Sequence, residues 1–172
     1  ERVALEGLEE EGVYLEGTGS LVLDRVAGVA FACRSVRTMD RALDAWSAAT
    51  GYGVVRFDAD DGRGVPVYHT NVVMALGARF AVVCAEAISD AGQRGMVLER
   101  LRGLREVVLE ISRAQMAGMA GNVIELRSAS GGAVLAASER AWGSFTPGQR
   151  SVLEGLARPV VASIPTIERV GG

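Results

Sequence analysis

Histidine, cysteine and asparagine are scarce in these 172 residues, with one of the first and two of each of the others, and lysine is absent altogether. Each scarcity excludes a class of function. Both cysteines lie in apolar runs, Val29-Ala-Phe-Ala-Cys33 and Phe80-Ala-Val-Val-Cys84, so a zinc site of the usual nitrogen and sulfur ligands has no ligand set. The same runs read as buried strands. The two cysteines are therefore expected to be small core residues rather than reactive thiols or a disulfide, because a thiolate needs a polar, partly exposed setting.

All positive charge is arginine, and 18 basic against 21 acidic residues leave a net charge of −3. Aromatics make up only 5% of the chain, and no basic stripe interleaved with them appears, which argues against nucleic acid as a partner. Long apolar runs are missing too. None approaches the roughly 20 residues that span a bilayer, and no basic segment followed by an apolar one opens the chain as a signal peptide would. The expectation is a cytoplasmic protein without a membrane partner.

What is present is a core and a repeat. With 49% hydrophobic residues, the chain is long enough for a single domain over 1–172. Glu16, His69 and Asn122 follow one another at intervals of 53 residues, and similar text follows each. Ser20-Leu-Val-Leu23 leads to Val29–Cys33, Asn71-Val-Val-Met74 to Phe80–Cys84, and Asn122-Val-Ile-Glu-Leu126 to Ala133-Val-Leu-Ala136. Paired apolar runs across a turn read as β-hairpins. The repeat predicts three hairpin–helix–strand units, about 13–68, 69–121 and 122–172, that bury their apolar faces against one another as in a propeller. Glu16, His69 and Asn122 should then gather at one cleft.

The helices carry their own signals. Met39, Ala42, Leu43 and Trp46 recur at helical spacing, with Thr38 as cap and Gly51 as terminator. A second helix is expected from a Ser89 cap to about Gly103, a short one over 111–118, and a last one from Thr146-Pro147, with Gln149 completing a capping box. Residues 1–12 show no strong period. Asp58, Asp60 and Asp61, followed by Gly62, resemble part of a calcium loop but lack its glutamate, so a solvated turn is expected and no metal is assigned.

Few residues can carry chemistry. A lone histidine is commonly structural, but His69 stands at a repeat junction beside Thr70 and Asn71, which favours general acid–base work. Glu16, flanked by Gly17 and Gly19, reads either as a turn acid in water or as a carboxylate facing a pocket. Gly17-Thr-Gly-Ser20 lacks the lysine and spacing of a phosphate loop, and no cofactor is implied. Arg34 and Arg37 could hold a ligand carboxylate.

Five stretches together resemble one family: Leu15-Glu-Gly-Thr-Gly-Ser-Leu-Val22, Cys33-Arg-Ser-Val-Arg-Thr38, Tyr68-His-Thr-Asn-Val72, Ala117-Gly-Met-Ala-Gly-Asn122 and Ile164-Pro-Thr-Ile-Glu-Arg-Val-Gly-Gly172. In order and distance they are similar to the guanidino-group-modifying, or pentein, superfamily, and within it to arginine-deiminase-related citrulline-utilisation hydrolases. The resemblance implies an α/β fold, a partial pentein propeller of which the chain supplies about three blades. It implies a cysteine that attacks a guanidino or ureido carbon and a histidine that protonates the departing amine.

Carried over by motif, the catalytic histidine is His69 and its carboxylate Glu16. Arg37 grips the substrate's carboxylate, and Asn122 and Gly171 line its amino acid end. Arginine deiminases have an aspartate where this chain has Asn71, and an amide suits the neutral ureido group of citrulline. The expected reaction is citrulline to ornithine, with arginine deiminase, dimethylarginine hydrolase or a non-catalytic pentein as alternatives. The chain reads as a fragment that enters the family's glycine-rich segment at Gly171 without reaching the nucleophilic cysteine, and is expected to be inactive alone. The partner is a small amino acid, and the oligomeric state is left open.

Overall fold

The computed structural model describes residues 4–169. Three three-stranded sheets are built to one plan, each an antiparallel hairpin whose second strand pairs in parallel with a third. In the first, β1 (Val22–Asp24) and β2 (Val29–Cys33) form the hairpin and β3 (Gly53–Phe57) follows. The second holds β4 (Met74–Leu76), β5 (Phe80–Val83) and β6 (Val107–Glu110). The third holds β7 (Ile124–Arg127), β8 (Ala133–Ser138) and β9 (Arg158–Ala162). A parallel pair needs a crossover, and helices supply it.

The middle strands read as unbroken apolar runs because both faces are covered. Every residue of β2 and β5 is buried. Their cores merge with that of a crossover helix through Val97 and Leu101 of α4 (Ala91–Leu104), and Leu43 of α2 (Asp40–Thr50) is buried as well. Short helices α1 (Gly17–Ser20) and α3 (Thr70–Val73) lead into the first two sheets, and α5 (Arg113–Ala117) into the third. α6 (Glu139–Ser144) and α7 (Pro147–Glu154) cross over in the third unit, and α8 (Pro165–Glu168) comes last. β1 lies against β4, and β4 against β7, so the first strands of successive units stand side by side.

Local chemistry fixes most ends. Gly51 closes α2 in the left-handed region at φ 76°, and the Thr146–Gln149 capping box opens α7 as its sequence predicts. Four details depart from expectation. Thr38 is buried and bonded through its backbone to Ser35, so α2 starts one residue later with Met39 at the cap position. Asp90, not Ser89, caps α4, because the Ser89 hydroxyl donates to Asp60 instead. Residues 6–11 form a 3₁₀ turn where no period is visible, and α6 precedes the single last helix that the sequence suggests.

Among the contacts that join neighbouring units, two are buried or tightly fitted. A Cβ on Gly121 would collide with the Val72 carbonyl oxygen, so only glycine lets the third unit's entry approach α3 this closely. Asp24 and Arg105 form an ion pair at 2.6 Å, almost wholly buried, between the first unit and the second. Asp24 also accepts from the Val26 and Ala27 amides, and Arg105 donates to the Gly77 carbonyl. Burial alone pushes the Asp24 carboxyl up. The Ala27 amide, the Arg105 guanidinium and the Val26 amide together outweigh it and hold the carboxyl below its ordinary value.

Candidate active site

Glu16 and His69 each stand immediately before a short helix at the entry to a sheet, Glu16 before α1 and His69 before α3. The packing of α1 on α3 brings together side chains 53 residues apart, with His69 Nε2 2.8 Å from Glu16 Oε2. An ionised carboxylate only accepts, so Nε2 carries the hydrogen and donates it to Glu16. That bond fixes the ring's orientation and tautomer. An imidazolium formed during a reaction would have an anionic partner already in place.

The opposite edge of the ring rests on Gly19. A Cβ there would sit 2.5 Å from Nδ1, so the ring occupies space that any side chain would fill. Arg37 completes the cluster, its guanidinium 3.5 Å from Glu16 Oε2 and 5.1 Å from the centre of the Tyr68 ring. Tyr68 in turn tilts against the His69 ring with centroids 4.8 Å apart. Arg37 lies in a tight turn in which Ser35 and Thr38 exchange backbone bonds and the Arg37 amide donates to Ser35 Oγ. Glu16 and Arg37 are about half exposed and His69 is mostly covered, which leaves charged tips at a surface and an anchored ring beneath.

The other residues singled out in the sequence make no bond to this cluster among those described. Asn71 is half-buried within α3, two residues from His69. Asn122 is not in the place its spacing suggests. Glu16 precedes β1 by six residues and His69 precedes β4 by five, but Asn122 precedes β7 by two. A shorter connection shifts the register of the third unit, and Met119, with a positive φ of 68°, takes the turn there. The Asn122 amide donates back to the Met119 carbonyl. Gly171 falls outside the described residues.

Cys33 and Cys84 are fully buried, and burial pushes their thiols up to about 12 and about 11. Neither is a thiolate at neutral pH. The aspartates after β3 are engaged by protein groups: Asp58 by a two-pronged pair with Arg34, Asp60 by Ser89 and Arg113, and Asp61 by the amides of Arg63 and Val65. Among the described residues no group of three His, Cys, Asp or Glu is placed to hold a metal ion. A cleft of about 620 Å³ borders Tyr68, but neither His69 nor Glu16 lines it, and its guanidinium, Arg34, is closed by Asp58. That cleft and the Glu16–His69 pair are therefore separate features.

Sequence reasoning placed Gly19, Ser20, Tyr68 and Thr70 beside Glu16 and His69 but gave none of them its structural part. All four stand inside the stretches quoted above, but close approach to a ring and buried hydroxyl bonds leave no trace in composition or period.

The three repeated sheets and the clustered junction residues define the class, a pentein. The profile described as N,N dimethylarginine dimethylhydrolase, eukaryotic, matches residues 1–172, and the chain belongs to that family. None of the curated proteins is similar enough in sequence to match. Among solved structures, the apo form of ArgZ, an arginine dihydrolase from the ornithine–ammonia cycle in cyanobacteria, is similar with a TM-score of 0.73 and 15% identity, over 97% of this chain and 26% of that one. A substrate-bound cysteine-to-serine mutant of the N-terminal domain of ArgZ gives 0.71 and 15%, over 97% and 60%. A cysteine-to-serine mutant of the Pseudomonas aeruginosa DDAH complexed with citrulline gives 0.55 and 16%, over 92% and 55%. The likeness shows a shared fold, and the chain spans less than two thirds of each of these relatives.

Proposed function

We propose that the protein carrying this chain is a cysteine-dependent hydrolase of a carbon–nitrogen bond in a ureido or guanidino amino acid, and that it converts citrulline to ornithine. The observation that carries the reading is the 2.8 Å bond between Glu16 and the chain's one histidine, with Arg37 beside it. A scaffold that only binds has no need of an oriented imidazole, a carboxylate and a guanidinium in one cluster.

In this reading a thiolate attacks the ureido carbon. The C–N bond to the ornithine side chain breaks, and His69 gives the departing amine its proton. The sulfur-bound carbamoyl group is then hydrolysed by a water that His69 deprotonates, giving carbamate, which falls apart to carbon dioxide and ammonia. Glu16 keeps the imidazole oriented through both steps. The nucleophile is a cysteine other than Cys33 and Cys84, whose burial keeps them protonated, so the 172-residue chain is expected to be inactive by itself.

Asn71 favours the neutral substrate, because an amide pairs with a ureido group without leaving a charge unmatched. Dimethylarginine is the second reading, supported by the family profile. Arg37 tests the amino acid part of the proposal. In the complete protein, Arg37→Ala should raise KM for citrulline about tenfold or more while substrates without an α-carboxylate change little. Equal losses for both kinds of substrate would show that Arg37 holds the loop rather than the ligand.

A further inference from the structure

Beneath the charged cluster lies a chain of buried hydroxyls that the proposed reaction does not use. Thr70 follows His69 directly and is fully buried, as is Ser20. The Thr70 hydroxyl accepts from the Cys33 amide at 2.7 Å and donates to the Ser20 carbonyl at 2.6 Å. The Ser20 hydroxyl donates to the Arg37 carbonyl at 3.0 Å, and the Glu16 amide donates to that same carbonyl at 2.9 Å. Two side chains thus tie together the backbone segments that carry Glu16, Arg37 and His69.

We propose that Thr70 is a positioning residue: its hydroxyl, by bridging the Cys33 amide and the Ser20 carbonyl, sets the distance between His69 and Glu16. The inference rests on the reading of those two as the acid–base pair. The chemistry of the position is restrictive. One group must accept from an amide and donate to a carbonyl in a dry place, which a hydroxyl does and a methyl does not. Valine has nearly the shape of threonine but would leave the Cys33 N–H and the Ser20 C=O unpaired and buried. The relief available is for the α1 and β2 segments to move away from α3, and Glu16 moves with α1. Gly19 makes the ring sensitive to such a shift, since its backbone already lies against the Nδ1 edge.

His69 is the only histidine, so the ring nitrogens of uniformly ¹⁵N-labelled protein give one set of signals that needs no assignment. They are recorded for the wild-type chain, Thr70→Val, Thr70→Ser, and Glu16→Ala, which has no side-chain acceptor, as the reference for a broken pair. The expected result is that Thr70→Val, folded by circular dichroism and amide dispersion, moves the His69 signals toward those of Glu16→Ala. Thr70→Ser, which keeps both bonds, should retain the wild-type signals. A folded Thr70→Val with wild-type signals would overturn the proposal. So would a serine variant shifted as far as valine, which would place the effect in the methyl group. If the valine variant does not fold, Thr70→Cys is read in its place: its weakly bonding thiol should move the signals in the same direction, and unchanged signals contradict the proposal. The readout needs no turnover, so failure of the proposed reaction would leave it standing and show itself separately.

Discussion

His69→Ala in the complete protein should lower kcat by about 10²- to 10⁴-fold, the usual contribution of a positioned general acid–base. The reason is the directness of its part in the proposed reaction, where the imidazole would deliver the proton to the leaving amine and remove one from water. Its place is fixed by one bond to Glu16 and one contact with Gly19. KM should change far less than kcat, because the ring is mostly covered and the proposal gives the charged end of the substrate to Arg37. Glu16→Gln should fall in between, since an amide still accepts from Nε2 but leaves an imidazolium without its anion. Steady-state kinetics on the three proteins checks the order. A His69→Ala variant within threefold of wild type would make the histidine structural.

The second large effect is on stability. Asp24→Ala should destabilise the fold by about 3–5 kcal/mol at neutral pH, because it leaves the Arg105 guanidinium buried without its partner. For a chain of this length that corresponds to a fall in Tm on the order of 10 °C. The pH dependence has a definite sign. The folded Asp24 carboxyl is held below its ordinary value, so its contribution is complete above the unfolded value of about 4 and is lost as pH falls through the lower, folded one. Thermal melts of both proteins should therefore differ most near neutral pH and converge in acid. A constant gap from pH 7 down to pH 2 would mean that packing, not charge, is lost.

The repeat was legible because a buried strand pair leaves a mark that survives in sequence. Val29–Cys33 and Phe80–Val83 are apolar without interruption, and both emerge as fully covered middle strands. The parallel third strands follow from the helices between them. The pairing of Glu16 with His69 was legible too, since equal spacing put both at the entry of a unit. Asn122 shares the spacing but stands only two residues before its strand, because counting along the chain takes no account of how many residues the entry to β7 consumes. Helix starts were misplaced where a cap competed with tertiary contacts, as when Ser89 turns to Asp60 and leaves Asp90 to cap α4. The Thr70 and Ser20 hydroxyls were invisible for a different reason: nothing in a sequence tells a buried hydroxyl from a wet one.

The most direct test of the account is product release by the complete protein offered citrulline, arginine or dimethylarginine separately, with ammonia, ornithine and dimethylamine all measured. The account predicts ornithine and ammonia from citrulline, at a kcat/KM above that for either guanidino substrate, and a fall of about 100-fold or more in His69→Ala. Faster release of dimethylamine from dimethylarginine would contradict the assignment of the substrate, and turnover of any of the three that stays within about threefold of wild type in His69→Ala would contradict the site.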